Sequence, residues 1–147
     1  MSSNLEYVLF KLDNEYYGID IQNVETIEKI MSITRVPYTQ DYIKGVINLR
    51  GNVVPVIDLR KRFKLEEKEY TENSRIIIVK IEDITVGMIV DSSSEVIQIS
   101  NENIDEAPVL KNNSEESFVK HIAKNDEQII MIIDLCKILG INEDVNE

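Results

Sequence analysis

Apolar residues are gathered along this chain in short runs separated by polar turns. Tyr7–Leu12 and Arg75–Ile81 are two such runs, and each is followed by a few polar residues and then a second short apolar segment. Runs of this length that are rich in Val, Ile and aromatic residues and bounded by polar residues are typical of β-hairpins. The pattern therefore predicts a hairpin near the start of each half of the chain.

The two halves also repeat each other. A shift of 69 positions places Gly18 on Gly87, and a shift of 76 positions places Asp58 on Asp134, each followed by Leu. An Asp at the end of a strand is a candidate catalytic acid, but the repeated Asp-Leu context favours an N-cap for a short helix. Gly140 lies where the second of these helices would end.

Each half thus consists of a hairpin, a connection, a second hairpin and a helical turn. Four or five short strands are too few for an open sheet with a dry face, but a small barrel encloses a core and hides its edges. We therefore expect a mainly β fold with two small barrels side by side in one domain over 1–147, with repeat halves 5–72 and 73–140. The sequence leaves open whether strands are exchanged between the barrels. It also leaves open whether residues 24–30 form a helix or a strand.

The stretch YIKGVINLRGNVVPVIDL, residues 42–59, holds two glycines six positions apart. It lacks the GxxxxGK[ST] pattern of a phosphate loop, because Asn52 follows Gly51. Gly and Asn tolerate positive φ, so Arg50-Gly51-Asn52 predicts a tight hairpin turn. Pro55 predicts an edge strand or a bulge. Arg50 is either a solvent-facing turn residue or a guanidinium that pairs with a carboxylate to orient a binding surface.

Charge disfavours nucleic acid as a partner, because the net charge is −11 and phosphate contacts need cations. Basic residues concentrate in the first half, which has a net charge of −2 against −9 for residues 73–147. The group Arg60, Lys61, Arg62 and Lys64 is interpreted as a solvated helix face, with a docking patch for an acidic partner as the alternative. No apolar run is long enough to span a bilayer, and a cytoplasmic protein without membrane insertion is expected.

Catalysis has little support in the sequence. The chain has one His, His121, and one Cys, Cys136, which cannot together form a metal cage. A nucleophilic pair of these two is conceivable, but Cys136 falls at a strand-to-helix junction where a small residue is usually buried. We expect no enzyme activity, no metal and no cofactor.

The stretch at 42–59 closely resembles the signature of the CheW family, in which a Gly, an Asn-Leu-Arg-Gly turn and a Pro-Val-hydrophobic-Asp-Leu strand follow in that order. The segments YYGIDIQNVETI and VGMIVDSSSEVIQI resemble the family's two hairpin exits, and the resemblance extends from Leu5 to about Leu139. It implies two five-stranded SH3-type barrels in a bacterial chemotaxis adaptor. Such adaptors bind the cytoplasmic tip of methyl-accepting receptors and the regulatory domain of the histidine kinase CheA, within receptor arrays at the membrane.

The resemblance also implies site residues. The receptor tip would lie in an apolar groove between the barrels, and CheA would contact the end of the first barrel, with a second contact on the other barrel near Leu110. The implied groove residues are Val24, Ile27, Gly45, Ile47, Arg50 and Val96, and the implied kinase residues are Ile30, Ile33, Lys44 and Val53.

The chain departs from the family pattern at Thr26, where the family usually has a Glu that pairs with the turn Arg. Glu25 and Glu28 are neighbouring carboxylates, so either of them, or neither, pairs with Arg50. A peptide-binding barrel outside chemotaxis remains the alternative function, because small barrels recur with many functions.

Overall fold

The computed structural model describes residues 4–106 and 118–141, and within them the chain forms eleven strands and two short α-helices. The strands are β1 (Asn4–Leu12), β2 (Glu15–Asp20), β3 (Val24–Lys29), β4 (Ile43–Leu49), β5 (Asn52–Asp58), β6 (Arg75–Ile81), β7 (Ile84–Val90), β8 (Ser92–Ser100), β9 (Ile104–Glu106), β10 (Val119–Asn125) and β11 (Gln128–Ile133). The helices are α1 (Leu59–Arg62) and α2 (Leu135–Leu139), and single 3-10 turns cover Ile21–Asn23 and Asn101–Asn103. The segment that was ambiguous from sequence is therefore the strand β3.

The strands form two sheets, and each sheet takes strands from both halves of the chain. Barrel A has the strand order β8-β1-β2-β11-β10-β9, and barrel B has the order β3-β6-β7-β5-β4. In barrel A the first hairpin joins the last hairpin through the parallel pair β2–β11, and in barrel B the β4–β5 hairpin joins β6–β7 through the parallel pair β5–β7. Strands are thus exchanged between the two repeats.

In each sheet the two edge strands are consecutive in the chain. In barrel A these are β8 and β9, which are separated only by the 3-10 turn Asn101–Asn103. In barrel B the chain beyond β3 returns to the edge strand β4, where Thr34 and Val46 exchange two backbone hydrogen bonds of 2.8 Å each. This contact covers part of the edge that β4 would otherwise leave unpaired.

Three apolar clusters hold the molecule together. The interior of barrel A contains Tyr7, Leu9 and Ile132, and the interior of barrel B contains Val56, Ile76 and Ile78. The third and largest cluster, the central core, lies between the barrels and includes Val8, Phe10, Leu12, Ile57, Leu59, Ile77, Met88 and Ile138. Because the alternate faces of β1 and β6 serve different clusters, these strands are apolar on both faces, which explains their unbroken apolar runs.

Four two-residue turns join the paired strands of the hairpins, and each begins with a residue at positive φ. These residues are Asp13 (57°), Arg50 (52°), Glu82 (56°) and Asp126 (59°). In the turn of the signature stretch it is Arg50 and Gly51 that take positive φ, not Asn52 as the sequence suggested, because β5 already begins at Asn52. Two successive residues with φ above zero match the right-handed twist of a hairpin.

The sequence prediction for Pro55 is wrong in one respect. The strand β5 lies between β4 and β7, so it is not an edge strand. The parallel pairing with β7 begins only at Val56, so the missing N–H of Pro55 falls outside that ladder. The bulge in this hairpin lies in β4, between Ile43 and Gly45.

The predicted helix caps are confirmed. Asp58 accepts hydrogen bonds from the backbone N–H groups of Arg60 and Lys61, and Asp134 accepts one from Lys137. Gly140 ends α2 in the left-handed conformation with φ of 75°. Among the described residues, no helix is long and apolar enough to cross a membrane.

Candidate protein-binding site

Two equivalent bulges turn apolar residues of β3 and β8 toward the central core. The pairing of β3 with β6 shifts register between Val24 and Thr26, and the pairing of β8 with β1 shifts between the partners Val8 and Phe10. In a regular strand, residues three positions apart face opposite sides, but a bulge adds one residue and restores them to one side. Val24 and Ile27 therefore share a face, and their i, i+3 spacing is the reason that β3 was ambiguous from sequence.

The register shows which face that is. Ile27 lies directly opposite Ile77, and Val96 lies directly opposite Val8. Residues opposite each other in a sheet project to the same side, and both Ile77 and Val8 belong to the central core. Ile27 of barrel B and Val96 of barrel A thus rim the central core from opposite barrels.

These two side chains remain accessible. Ile27 is 43% exposed and Val96 is 48% exposed, which is high for large apolar residues on strands. Val24 is half-buried and packs against the central core. We refer to Val24, Ile27 and Val96 as the groove residues, after the groove that the resemblance implies.

Arg50 is tied to the same strand. Its Nη2 donates to Oε2 of Glu28 at 3.1 Å, so Glu28 supplies the carboxylate that the sequence could not assign. Glu28 and Thr26 are two residues apart and point to the same side of β3. The hydroxyl of Thr26 is buried, and among the described residues it has no hydrogen-bond partner.

Ile47 does not line the groove, and Gly45 serves a close contact within barrel B. Ile47 is only 2% exposed and packs inside barrel B, which corrects the expectation that its side chain lines the groove. A Cβ on Gly45 would collide with the carbonyl oxygen of Thr34 and would lie 3.0 Å from the side chain of Ile33. Gly45 therefore allows the chain beyond β3 to cross over β4 and close barrel B.

The four residues implied for kinase binding all belong to barrel B or to the segment that crosses its strand β4. Ile30 and Ile33, on the segment that crosses β4, pack against the barrel B interior while remaining half-exposed. Lys44 places its ammonium 5.5 Å from the ring centroid of Tyr70, and Val53 is 72% exposed. We call these four residues the barrel B face.

The basic group of α1 is neither a solvated face nor a docking patch as a whole. Arg60 is 7% exposed and contacts Asp13 and Asp91 at 2.8 Å each, while its Nε donates to the carbonyl oxygen of Glu66. Burial acts to lower the pKa of Arg60, but the hydrogen bonds and charges of the two aspartates outweigh it and raise the pKa.

Arg62 makes a second contact between the barrels. Its guanidinium donates to the carbonyl oxygens of Ile138 at 2.7 Å and Lys137 at 3.0 Å, at the end of α2. The same group lies 4.4 Å from the ring centroid of Tyr42 and 4.8 Å from that of Phe118. The sequence singled out both arginines but missed their role between the barrels. The available signal was their position in a four-residue helix, which is too short to have a separate solvent face.

The remaining candidates provide no assembled chemistry. Leu110, implied for a second kinase contact, lies outside the described residues. Cys136 is buried on α2, and His121 is half-buried on β10 opposite Glu106 and Ile132. Over residues 4–106 and 118–141, no group of three or more His, Cys, Asp or Glu side chains is arranged to hold a metal ion.

Two barrels packed on a shared apolar core, with large apolar side chains exposed on their strands, define a mainly β module. A profile of the CheW-like domain matches residues 6–143, which is nearly the whole sequence. The chain therefore belongs to the CheW family, as its signature stretch predicted.

Similar proteins agree with this assignment. The chain is 42% identical over 132 residues to the chemotaxis protein CheW of Bacillus subtilis, a match that covers 90% of this chain and 85% of that protein. It is 36% identical over 138 residues to the chemotaxis protein CheW of Klebsiella aerogenes, covering 94% and 83%. The crystal structure of the scaffolding protein CheW from Thermoanaerobacter tengcongensis matches with a TM-score of 0.87 and 41% identity over 95% of each chain. The prediction of a mainly β fold of two SH3-type barrels is thereby confirmed. The expected five strands are found in barrel B, whereas barrel A has six, because the short strand β9 extends its sheet beyond β10.

Proposed function

We propose that this protein is a chemotaxis adaptor that couples methyl-accepting receptors to the histidine kinase CheA. The cytoplasmic tip of the receptor binds the groove residues, and the regulatory domain of CheA binds the barrel B face. The protein works from the cytoplasm, without a cofactor, and is recruited to membrane receptor arrays through these two contacts. The alternative is a peptide-binding module outside chemotaxis.

The observation that carries the receptor site is the exposure of Ile27 and Val96 at the rim of one core. They come from different barrels, they are 43% and 48% exposed, and both project toward the central core. A helix that lays an apolar face into a groove needs anchors of this kind on both walls. The receptor tip, a helical hairpin in the family, has the shape and chemistry for such a groove.

A barrel-to-barrel contact suits the kinase regulatory domain, which shares the CheW fold. Val53 offers an apolar side chain that is 72% exposed, and Lys44 and the partly buried Ile30 and Ile33 belong to the same barrel. An exposed apolar centre with a charged rim is the usual composition of a protein interface. The two proposed sites use different residues, so both partners bind at the same time.

The receptor site is tested by isothermal titration with a receptor cytoplasmic fragment. Ile27→Asp and Val96→Asp should each weaken binding by at least about 2 kcal/mol, because a charge is placed at an apolar contact. The matched control is Ile129→Asp, since Ile129 is also a strand isoleucine at 53% exposure but lies on β11, three strands from β8. Equal losses in the control and in the two groove variants would contradict the assignment.

The kinase site is tested with the isolated CheA regulatory domain. Val53→Asp should abolish binding of the CheA regulatory domain and leave the affinity for the receptor fragment unchanged. Ile27→Asp should weaken binding of the receptor fragment and leave the affinity for the CheA domain unchanged. Ile129 occupies the position equivalent to Val53 under the 76-residue repeat, so Ile129→Asp controls for the general effect of the substitution. If the wild-type protein binds neither partner, the chemotaxis role is wrong and the generic peptide-binding module takes its place.

A further inference from the structure

The chain passes between the barrels twice, and each passage leads directly into a groove strand. The first passage runs from β2 of barrel A through Ile21–Asn23 to β3 of barrel B. The second runs from β7 of barrel B through the single residue Asp91 to β8 of barrel A. The position of Asp91 therefore fixes where β8, with its groove residue Val96, begins.

Asp91 is held by contacts from both barrels. Its Oδ2 accepts 2.7 Å and 2.8 Å hydrogen bonds from the backbone N–H of Asp13 and from Nη1 of Arg60, and its own N–H donates to the carbonyl oxygen of Lys11. Arg60 belongs to α1, which follows β5 of barrel B, whereas Asp13 lies in the first turn of barrel A. The guanidinium is thus the link from barrel B to both aspartates.

We propose that Arg60 is a positioning residue for the receptor groove: by clamping Asp91 and Asp13 it fixes the two groove walls, β3 and β8, at the spacing that receives a helical partner. This inference rests on the proposed function, because the occupant of the groove is the receptor tip. Arg60 does not touch the partner itself. Its side chain is 8% exposed, and its donors are directed to Asp13, Asp91 and the Glu66 carbonyl.

The two groove walls belong to different barrels. β8 is paired with β1 on both sides of its bulge, so Val96 is carried by barrel A, while β3 is paired with β6, so Ile27 is carried by barrel B. Arg60 reaches from α1 of barrel B to Asp13 in barrel A and to Asp91, the residue that leads into β8. The clamp therefore sets the position of one wall relative to the other.

The clamp is present in only one of the two repeats. Under the 76-residue shift, Arg60 corresponds to Cys136, so α2 carries no guanidinium at the equivalent position. The other passage uses a weaker tie, in which Nδ2 of Asn23 donates to the carbonyl oxygen of Lys80 at 3.1 Å. Because the second repeat lacks this ionic clamp, its role belongs to the first repeat alone. In this proposal that role is to hold β8 at a fixed position relative to β3.

The distance between the two groove walls, β3 and β8, is measured by double electron–electron resonance (DEER). Spin labels are attached at Glu25→Cys on β3 and Gln98→Cys on β8, which are exposed positions, in a Cys136→Ala background. We expect a narrow distance distribution with native Arg60 and a broadened one with Arg60→Met. Lys61→Met is the matched control on the same helix, because Lys61 pairs with the exposed Glu67, and its distribution should stay narrow. Asp91→Asn, which keeps the side-chain shape, repeats the test if Arg60→Met does not fold.

Binding is then measured with the same variants without labels. If only a tenth of the molecules hold the groove at the competent spacing, affinity for the receptor fragment falls about tenfold. Affinity for the CheA regulatory domain should not change, because the barrel B face does not include β8. A general loss of stability would lower both affinities together, and that result overturns the inference, as does unchanged receptor binding with an unbroadened distribution. Failure of the wild-type protein to bind the receptor fragment overturns the proposed function, while the label distances still decide whether Arg60 fixes the walls.

Discussion

Glu28 accepts a 3.1 Å hydrogen bond from Nη2 of Arg50, which joins the turn of the β4–β5 hairpin to the strand that carries Ile27. The resemblance to the CheW family led us to expect a Glu two residues earlier, at the position of Thr26. Residues two apart on a strand share a face, so Glu28 makes the contact from the side on which that Glu was expected.

This pair should contribute little to stability. The side chain of Arg50 is 66% exposed, and water screens a charge pair of this kind. We expect Glu28→Gln to lower the free energy of unfolding by less than about 1 kcal/mol in urea titrations. A loss well above that value would show that the pair holds barrel B together.

Replacing Thr26 should change stability in the opposite direction. The buried hydroxyl of Thr26 has no hydrogen-bond partner among the described residues, and an unpaired buried polar group is destabilising. Thr26→Val keeps the shape of the side chain and should raise the free energy of unfolding by about 1 kcal/mol. Thr26→Ser, which keeps the hydroxyl and loses a methyl group, is the control and should not stabilise the protein.

Gly45 should be the least replaceable glycine in the signature stretch. Its φ is 150°, and a methyl group at this position would collide with the carbonyl oxygen of Thr34, so Gly45→Ala forces the crossing segment off β4. We expect a loss of roughly 3 kcal/mol or more, together with fast hydrogen exchange at the amides of Thr34 and Val46. Gly51→Ala, where nothing lies within 4 Å, is the control and should cost only about 1 kcal/mol for its positive φ.

Arg62 should contribute more to stability than an ordinary surface arginine. Arg62→Met removes two hydrogen bonds to the end of α2 and two contacts with aromatic rings. We expect the free energy of unfolding to fall by about 2 kcal/mol, measured by urea titration. Lys68→Ala, a change at an exposed position on the loop after α1, should stay within about 0.5 kcal/mol of the wild type.

Tyr17 and Tyr70 should make the fold sensitive to alkaline pH. Burial raises the pKa of both phenols, with Glu15 adding to the effect at Tyr17 and Asp58 at Tyr70. In the unfolded chain a tyrosine ionises at about pH 10, while the native groups keep their protons, so the unfolded state binds fewer protons above that pH. Stability is therefore fully present below about pH 10 and falls as the pH rises further toward the native pKa values.

The measurement is the free energy of unfolding as a function of pH between about 8 and 11. Tyr17→Phe and Tyr70→Phe should each reduce the downward slope above pH 10. Tyr38→Phe is the control, because Tyr38 is fully exposed, and it should leave the slope unchanged. A wild-type curve that is flat above pH 10 would contradict the burial argument.

Local chemistry made much of the fold predictable from sequence. The hairpins, the caps at Asp58 and Asp134 and the helix end at Gly140 each depend on a few neighbouring residues, and the structure has them where the sequence predicted. The signature stretch also identified the family. These features are short-range, so no knowledge of distant contacts was needed.

Contacts between distant segments explain the errors. Arg60 meets Asp13 and Asp91 only because α1 lies between the barrels, and no spacing in the sequence shows that. Ile47 occupies an alternating apolar position, as expected for a strand. Which face of β4 is internal, however, depends on how the strands of barrel B come together. The i, i+3 spacing of Val24 and Ile27 suits a helix, but the bulge in β3 gives the same spacing on one face of a strand.

The exchange of strands has a consequence for biosynthesis. The hairpin β1–β2 is synthesised long before its parallel neighbour β11, because all the strands of barrel B lie between them in the sequence. Until then the nascent chain carries an apolar hairpin with an open side, and contacts that distant in sequence form slowly. Because each sheet takes strands from both halves of the chain, we expect two fragments cut between the halves to regain the native form only by recombining with each other.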